Sequence, residues 1–354
     1  MSSIIFLLLL IAIGLLIGLI VTTSSNPDVI RPDNIFSFGD STDDPGNLYH
    51  LDPSAVTDAK DQVFPVPDPN NPGQFIPVIS KQRFSNHNTN CDGKMSNRYL
   101  AETLGLKYQI GFKTNLTKSN NIFIDYSISG AEQGSDGYLV GPDDGKFPSV
   151  EFQISEFKTK LANSGRTIKS RDLFLLRLVG ANEFPAIAGL AISGGVDPAP
   201  LIAKLVGKAI QNIQSLYDLG ARNFVCEIYD DSSPYLIVKK VAAVNPAAGA
   251  AAVGLSHAIG GALLAGIENF IQTLPGINFV VKGVSVFNEW MTQYASDFGI
   301  IDNDVSISDQ LDNNVTPNYN HRFWDDIHSS SRTHREWSNK IHQYVLENLA
   351  NIPT

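Results

Sequence analysis

The sequence predicts an α/β fold built around a mainly parallel β-sheet. Short apolar segments typical of buried strands alternate with segments of helical periodicity along most of the 354 residues. Hydrophobic residues make up 43% of the chain and charged residues only 18%, which supports a large core and excludes a mainly disordered chain. Because no internal repeat or domain boundary interrupts the alternation, we expect a single domain over residues 26–354, after an N-terminal leader.

Five short apolar segments are predicted to form the strands. They are residues 34–38, 121–128, 172–179, 223–229 and 276–281. Gly39, Gly130 and Gly180 follow the first three of these segments, and glycine favours the tight turn that ends a strand.

Six segments carry apolar residues at helical spacing and are predicted to form helices. They are residues 97–104, 149–161, 200–219, 246–274, 287–298 and 333–350. In the second segment, for example, Ile154, Phe157 and Leu161 lie three or four residues apart and so share one face of a helix. The fourth segment is rich in Ala and Gly, a composition that favours close packing on a neighbouring element.

Residues 50–80 contain an unusual density of prolines. They are Pro53, Pro65, Pro67, Pro69, Pro72 and Pro77. Proline lacks a backbone N–H and interrupts both helices and central strands, so we predict a long surface loop in this region.

An unbroken apolar run covers residues 4–21, a length at the border between the core of a signal peptide and a membrane helix. Small residues at 22–25 suit a cleavage site, although the A-x-A pattern is absent. We favour a cleaved signal peptide over residues 1–25, and therefore a secreted protein; the alternative is a membrane anchor formed by residues 4–21. Asn115 and Asn314 begin N-x-Thr triplets and are candidate glycosylation sites in either case.

The charge and the cysteines limit the possible partners. The formal net charge of −10 argues against a nucleic-acid-binding protein. The two cysteines, Cys91 and Cys226, exclude a small disulfide-stapled fold and form no CxxC motif. They remain able to pair in the secretory pathway, although Cys226 lies in an apolar run and is better explained as a buried free thiol.

One acidic segment, Asp302-x-Asp304-x-Ser306, begins like a calcium-binding loop. It has Ile307 where an EF-hand requires glycine and Asn313 where it requires glutamate. We therefore interpret it as an exposed acidic loop and predict no metal site there.

A candidate nucleophile follows the first predicted strand. Ser41 stands two residues after Gly39, and α/β folds present catalytic groups at the carboxyl ends of parallel strands. A Gly-Asp-Ser triplet alone is more often an ordinary turn, so the functional interpretation depends on the longer segment that continues to Asn47.

A candidate base lies near the C-terminus. Asp325 and His328 are three residues apart, a spacing that lets the carboxylate hold Nδ1–H while Nε2 faces a serine. Asp326 competes with Asp325 for this role. Three other histidines, His321, His334 and His342, are weaker candidates because no aspartate lies three residues before them. His50, His87 and His257 are interpreted as structural or exposed.

Two further residues are candidates for an oxyanion hole, in which fixed donors meet the negative charge of an acyl-transfer intermediate. Gly130 follows a predicted strand and offers a backbone N–H without a side chain in the way. Asn182 follows the next predicted strand and offers its side-chain amide. The structural alternatives are a turn glycine and a helix-capping asparagine.

Taken together, these segments resemble the GDSL, or SGNH, hydrolase family. The segment Gly39-Asp40-Ser41-x-x-Asp44-x-Gly46-Asn47 resembles the first conserved block, Gly130 and Asn182 the second and third, and Asp325-x-x-His328 the last. Residues 82–86, Gln-Arg-Phe-Ser-Asn, look like a stretch of the plant-type members. One departure is Glu183, where the family usually has aspartate after the asparagine.

The resemblance implies a flavodoxin-like three-layer α/β/α sandwich with a mainly parallel sheet. It implies that Ser41 is the nucleophile, His328 the general base and acid, and Asp325 the residue that orients His328. The oxyanion hole would comprise the backbone N–H groups of Ser41 and Gly130 and the Asn182 amide. No metal or organic cofactor is implied.

The expected activity is ester hydrolysis, by an esterase or lipase or by a carbohydrate acetylesterase. The expected partner is therefore a small ester, an acyl lipid or an acetylated glycan, with no nucleic acid and with a membrane only through the N-terminal anchor. The alternatives are a catalytically idle extracellular binding protein on the same fold and an acyltransferase, which shares the acyl-enzyme.

Overall fold

The computed structural model describes residues 31–56, 60–85, 89–135, 148–302 and 304–350. From Pro32 onward the described residues belong to one compact unit. The expected leader, residues 1–25, lies outside the described residues, as do Asn86 and His87.

A six-stranded parallel sheet forms the centre of this unit, in the spatial order β4-β5-β1-β6-β7-β8. The strands, with the separate hairpin strands β2 and β3, are β1 (Asn34–Phe38), β2 (Lys60–Pro67), β3 (Phe75–Gln82), β4 (Lys107–Ile110), β5 (Ile122–Asp125), β6 (Asp172–Val179), β7 (Asn223–Ile228) and β8 (Asn278–Gly283). Every residue of β1, β6 and β7 is buried, as expected for the central strands of a parallel sheet that is covered on both faces.

Helices cover the two faces of the sheet. The helices are α1 (Asn47–Leu51), α2 (Ser96–Thr103), α3 (Val150–Ser164), α4 (Glu183–Gly194), α5 (Ala199–Asp218), α6 (Leu236–Val244), α7 (Pro246–Ile271), α8 (Val284–Tyr294), α9 (Ile307–Asp312) and α10 (Ser331–Ala350). On one face α10 packs against α2, and Phe287 of α8 stacks on Trp337 of α10. On the other face α5 packs against α3 and α7. The predicted three-layer α/β sandwich is therefore confirmed.

The predicted surface loop over residues 50–80 was wrong. Most of it is an antiparallel hairpin of β2 and β3, in which Pro65 lies opposite Pro77 and Val63 opposite Ile79. In a two-stranded ribbon both strands are edges, so a residue without an N–H is tolerated wherever the missing donor faces outward. The prolines exclude a central strand, but they do not exclude this hairpin.

The Ala- and Gly-rich helix α7 packs closely on its neighbours, as its composition predicts. A Cβ atom at Gly249 would overlap Ala242, and one at Gly260 would overlap Asp230. By length and composition α7 is the one helix in the described part of the chain that could cross a membrane, yet Ile259, Leu263 and Ile267 are fully buried in the core.

The structure also resolves an alternative that the sequence left open. Cys91 and Cys226 are both buried free thiols and form no disulfide with each other. Asn115 and Asn314 are both exposed, and their glycosylation stays a prediction.

Candidate active site

Ser41 is held in a turn that leaves the carboxyl end of β1. The Gln153 side chain of α3 fixes the start of this turn, because its Oε1 accepts from the Gly39 N–H (3.0 Å) and its Nε2 donates to the Gly39 carbonyl (2.8 Å). Asp40 closes the turn by accepting from the Thr42 N–H (2.9 Å) and hydroxyl (2.7 Å). Ser41 is therefore presented by a rigid backbone at the sheet edge where its position after a strand predicts it.

His328 reaches Ser41 from the other end of the chain. Its Nε2 lies 2.8 Å from the Ser41 Oγ, and its Nδ1 lies 2.8 Å from Oδ2 of Asp325. A carboxylate only accepts hydrogen bonds, so Nδ1 carries the proton and Nε2 is left to accept from the Ser41 hydroxyl. The structure thus brings together the three side chains that the sequence selects, and their catalytic roles stay a prediction.

Asp325 is buried, and backbone donors surround its carboxylate. Oδ1 accepts from the N–H groups of Ile327 (2.9 Å) and His328 (2.7 Å), and Oδ2 accepts from the Arg83 N–H (3.0 Å). These donors fix the carboxylate beside the imidazole. Arg83 lies in the segment that resembles plant-type family members, and sequence reasoning gave it no role in the site.

Asp326, the competing candidate, faces away from His328. Its carboxylate accepts from the Lys81 N–H (2.8 Å) and from the Lys240 ammonium (2.6 Å). The contact geometry therefore favours Asp325 as the residue that orients His328. His334, another weaker candidate, lies on the buried face of α10, where its ring stacks on Trp337.

Burial and charge act in opposite directions on His328. Burial lowers the pKa of the imidazole, while the charge of Asp325 and its hydrogen bond raise it. The net result is a pKa above the ordinary value of 6.5. An imidazole with a raised pKa is a stronger proton acceptor once it is neutral.

Gly130 and Asn182 both line the cavity that contains Ser41 and His328. Gly130 has a φ of 80°, in the left-handed region that glycine adopts without strain. Asn182 occupies the N-cap position of α4, but its side chain makes no capping hydrogen bond. Its Nδ2 instead donates to the Ala131 carbonyl at 2.8 Å, which leaves the second amide hydrogen available. Helix capping thus does not explain this asparagine.

The cavity has a volume of about 460 Å³ and two chemically different ends. The end at Ser41 carries the polar side chains of Asn182 and His328. Most of the other lining groups are apolar or aromatic, with Gln62, Gln82 and Asn90 among the polar exceptions. The apolar and aromatic groups include Phe64, Leu178, Phe184, Ala188, Ile192, Tyr235, Val238, Val241 and Ala252. Among the described residues no cluster of three or more His, Cys, Asp or Glu side chains is arranged to hold a metal ion.

Comparisons with curated proteins find relatives in two plants. The chain is 30% identical over 219 residues to GDSL esterase/lipase At1g28640 of Arabidopsis thaliana. It is 29% identical over 218 residues to GDSL esterase/lipase At1g28670 of the same plant, and 27% identical over 220 residues to sinapine esterase of Brassica napus. Each match covers 58% of this chain. These three relatives support assignment of the chain to the GDSL/SGNH family.

The matched region spans only 52–53% of the length of the curated relatives. No family model matches the chain. A solved structure described as NanS aligns over 90% of this chain and 98% of its own, but with 12% identity and a TM-score of 0.33 that likeness has no bearing on function.

Glu183, the departure from the usual GDSL pattern, is a buried acid beside the oxyanion candidates. Its Oε1 accepts a hydrogen bond from the Gln133 N–H, so it ties the start of α4 to the loop that contains Gly130. Burial raises the pKa of this carboxyl to about 8, and the Gln133 N–H opposes the shift only in part. The carboxyl is therefore mainly neutral at pH 7.

Sequence reasoning also missed the buried charges beneath the GDSL segment. Arg177 of β6 donates to Asp43 (2.7 Å) and pairs with Glu227 of β7, and its guanidinium lies over the Trp337 ring. Asp44 accepts from the Ser129 N–H (2.8 Å) and so joins the Ser41 loop to the Gly130 loop. The signal in the sequence was Arg177 itself, a charged residue in the middle of an otherwise apolar strand.

Proposed function

We propose that this chain is a serine ester hydrolase that works through an acyl-enzyme on Ser41. The observation that carries the proposal is the 2.8 Å contact between the Ser41 Oγ and the His328 Nε2, with Asp325 on the opposite side of the imidazole. The names of the plant relatives, esterases and lipases, support the same reaction class.

The reaction begins with attack of the Ser41 Oγ on the ester carbonyl. His328 takes the hydroxyl proton at Nε2, and Asp325 stabilises the resulting imidazolium. The carbonyl oxygen becomes negatively charged and accepts hydrogen bonds from the Ser41 and Gly130 N–H groups and the Asn182 amide. His328 then returns the proton to the departing alcohol, which leaves an acyl group on Ser41.

Water completes the cycle by the same steps. His328 removes a proton from water, the resulting hydroxide attacks the acyl carbon, and Ser41 is released with its proton restored. The apolar lining of the cavity favours esters with an apolar acyl group over acetylated glycans, because buried sugar hydroxyls need polar partners.

Hydrolysis of p-nitrophenyl esters of increasing acyl length tests the proposal. The wild type should be active, and Ser41→Ala should lower kcat by at least about 10⁴-fold while the protein stays folded. Ser155→Ala, which changes an exposed serine on α3, is the matched control and should keep full activity. Wild-type activity in Ser41→Ala would reject the nucleophile, and an inactive wild type would reject the hydrolase.

We also propose that the protein enters the secretory pathway by means of the apolar run at residues 4–21. N-terminal sequencing of the native mature protein should then give a start between about residues 22 and 30. An intact Met1 on a membrane-bound form would instead support the anchor. An intact Met1 on a cytosolic form would contradict both.

A further inference from the structure

A second apolar cavity lies next to the catalytic one. It has a volume of about 480 Å³ and is more open to solvent. We call it the distal groove. Its lining residues are Pro67, Ala191, Ile192, Pro198, Asn245, Ala247, Ala248, Ala251 and Leu255.

The distal groove and the catalytic cavity share their walls. Ile192 of α4 lines both of them. On α7, Ala252 lines the catalytic cavity and Ala248, one helical turn earlier, lines the groove. At the end of β2, Val66 lines the catalytic cavity and the next residue, Pro67, lines the groove. The two spaces therefore adjoin each other between α4, α7 and β2, and Ile192 lies at their boundary.

The distal groove presents a hydrocarbon surface. Asn245 is its one polar lining residue in the described part of the chain. The Asn245 amide already donates to the Pro67 carbonyl (2.9 Å), and its Oδ1 accepts from the Ala247 (3.0 Å) and Ala248 (3.1 Å) N–H groups at the start of α7. The groove thus has an apolar wall whose single polar side chain already makes three hydrogen bonds to the backbone, which suits an aliphatic chain and not a sugar.

We propose that the distal groove binds the far end of a long acyl chain whose ester carbonyl lies at Ser41. The chain passes Ile192 on its way from the catalytic cavity. This inference rests on the proposed hydrolase activity and narrows its substrate class to long-chain acyl esters. Each methylene group moved from water into an apolar site favours binding about fourfold, so occupation of the groove discriminates strongly between chain lengths.

Ala251→Trp tests the groove, because Ala251 lines the groove and not the catalytic cavity and is exposed enough to accept a large side chain. The measured quantity is the ratio of kcat/KM for p-nitrophenyl dodecanoate to that for p-nitrophenyl butanoate. We expect Ala251→Trp to lower this ratio at least about tenfold. The matched control is Ala265→Trp, an exposed position about 21 Å further along the same helix, which should leave the ratio unchanged.

A second variant acts in the opposite direction. Ile192→Ala removes the branched side chain at the boundary and should raise the ratio of dodecanoate to butanoate. An unchanged ratio in Ala251→Trp, or a wild type that hydrolyses butanoate and rejects dodecanoate, would overturn the proposal while leaving the hydrolase intact.

Direct binding separates failure of the groove from failure of the hydrolase. If the wild type hydrolyses no ester, the affinity for free dodecanoate is measured by calorimetry in the wild type, Ala251→Trp and Ala265→Trp. Binding that weakens only in Ala251→Trp supports the groove although the enzyme proposal has failed. Equal binding in all three proteins, or none in the wild type, rejects the groove.

Discussion

Two buried carboxyl groups lie next to residues of the catalytic cavity and have different surroundings: Asp325 contacts His328, and Glu183 follows Asn182. Asp325 is fully buried and accepts three backbone N–H groups as well as the His328 imidazole. Glu183 is 1% exposed but accepts from the Gln133 N–H alone, and its Oε2 has no hydrogen-bond partner within the described structure. Burial raises the Glu183 pKa to about 8.

The difference lies in what surrounds each acid: three backbone donors hold Asp325 beside an imidazole, whereas Glu183 is buried with one donor. Desolvation favours the neutral form of a carboxyl group that few donors surround. The backbone donors to Asp325 instead fix its position, where it accepts from Nδ1–H of His328. Beside the proposed oxyanion hole, Glu183 is mainly neutral at pH 7, which suits a place where negative charge must develop on the substrate.

The largest effect is expected from Asp325→Asn. An asparagine can donate to Nδ1 and so favours the wrong tautomer of His328, which should lower kcat by about 10⁴-fold. Asp326→Asn is the matched control, because Asp326 binds Lys81 and Lys240 and not the imidazole. Steady-state kinetics on both variants test the assignment, and an equal loss in the two would show that Asp325 has no special role.

A smaller effect is expected from Asn182→Ala. Loss of one oxyanion donor should lower kcat by about 10²–10³-fold and leave KM nearly unchanged. Asn182→Asp should be as poor or worse, since its carboxylate would face the developing charge. If the residue only stabilised α4, the thermal midpoint would fall and kcat would not change, so both are measured on the same sample.

The pH profile of kcat/KM reports on the protonation of His328. His328 must be neutral to take the proton from Ser41, so kcat/KM should rise with pH through a single step. Asp325 raises the His328 pKa, which places the midpoint above 6.5 and makes the rate at pH 5 at least about 30-fold lower than the plateau. A flat profile from pH 5 to 7 would contradict a histidine base.

The smallest effect on activity is expected from the ionisation of Glu183. Ionisation of Glu183 above pH 8 places a negative charge beside the proposed oxyanion hole, so kcat/KM of the wild type should fall by up to about tenfold at higher pH. The negative charges of Glu132 and Asp40 both oppose the ionisation of Glu183. Glu183→Gln should remove this falling limb. A limb that persists in the variant would assign it to another group.

Stability gives a second measurement on Glu183. Its pKa is about 8 in the folded protein and 4.5 in the unfolded chain, so the native state binds more protons between these pH values. The free energy of unfolding from this group therefore decreases as the pH rises from about 4.5 to 8. Denaturant titrations across this range should give a smaller decrease for Glu183→Gln than for the wild type.

The parts of the molecule that the sequence predicts well are those set by local pattern. β6 (Asp172–Val179) has the predicted limits, because its apolar residues are interrupted only by Arg177 and Gly180 follows it directly. Ser41, Asp325 and His328 could be selected because each stands in a short segment with a fixed spacing. The parallel sheet then brings together strand ends that are far apart in the chain.

What could not be predicted depends on contacts between distant segments. The β2–β3 hairpin was missed because proline excludes an inner strand and says little about an isolated ribbon. The charge state of Glu183 depends on its burial and on Gln133, 50 residues earlier. The orientation of Asp325 depends on the Arg83 N–H, 242 residues away. No local sequence pattern indicates either of these two contacts.

The central claim is that Ser41 becomes covalently acylated, and labelling with a serine-directed fluorophosphonate tests it most directly. Peptide mass spectrometry of the labelled wild type should place a single adduct on the peptide that contains Ser41. Asp325→Asn should label much more slowly, because the imidazole no longer activates the hydroxyl. An adduct on another serine, or an unlabelled Ser41 in protein that hydrolyses esters, would contradict the account.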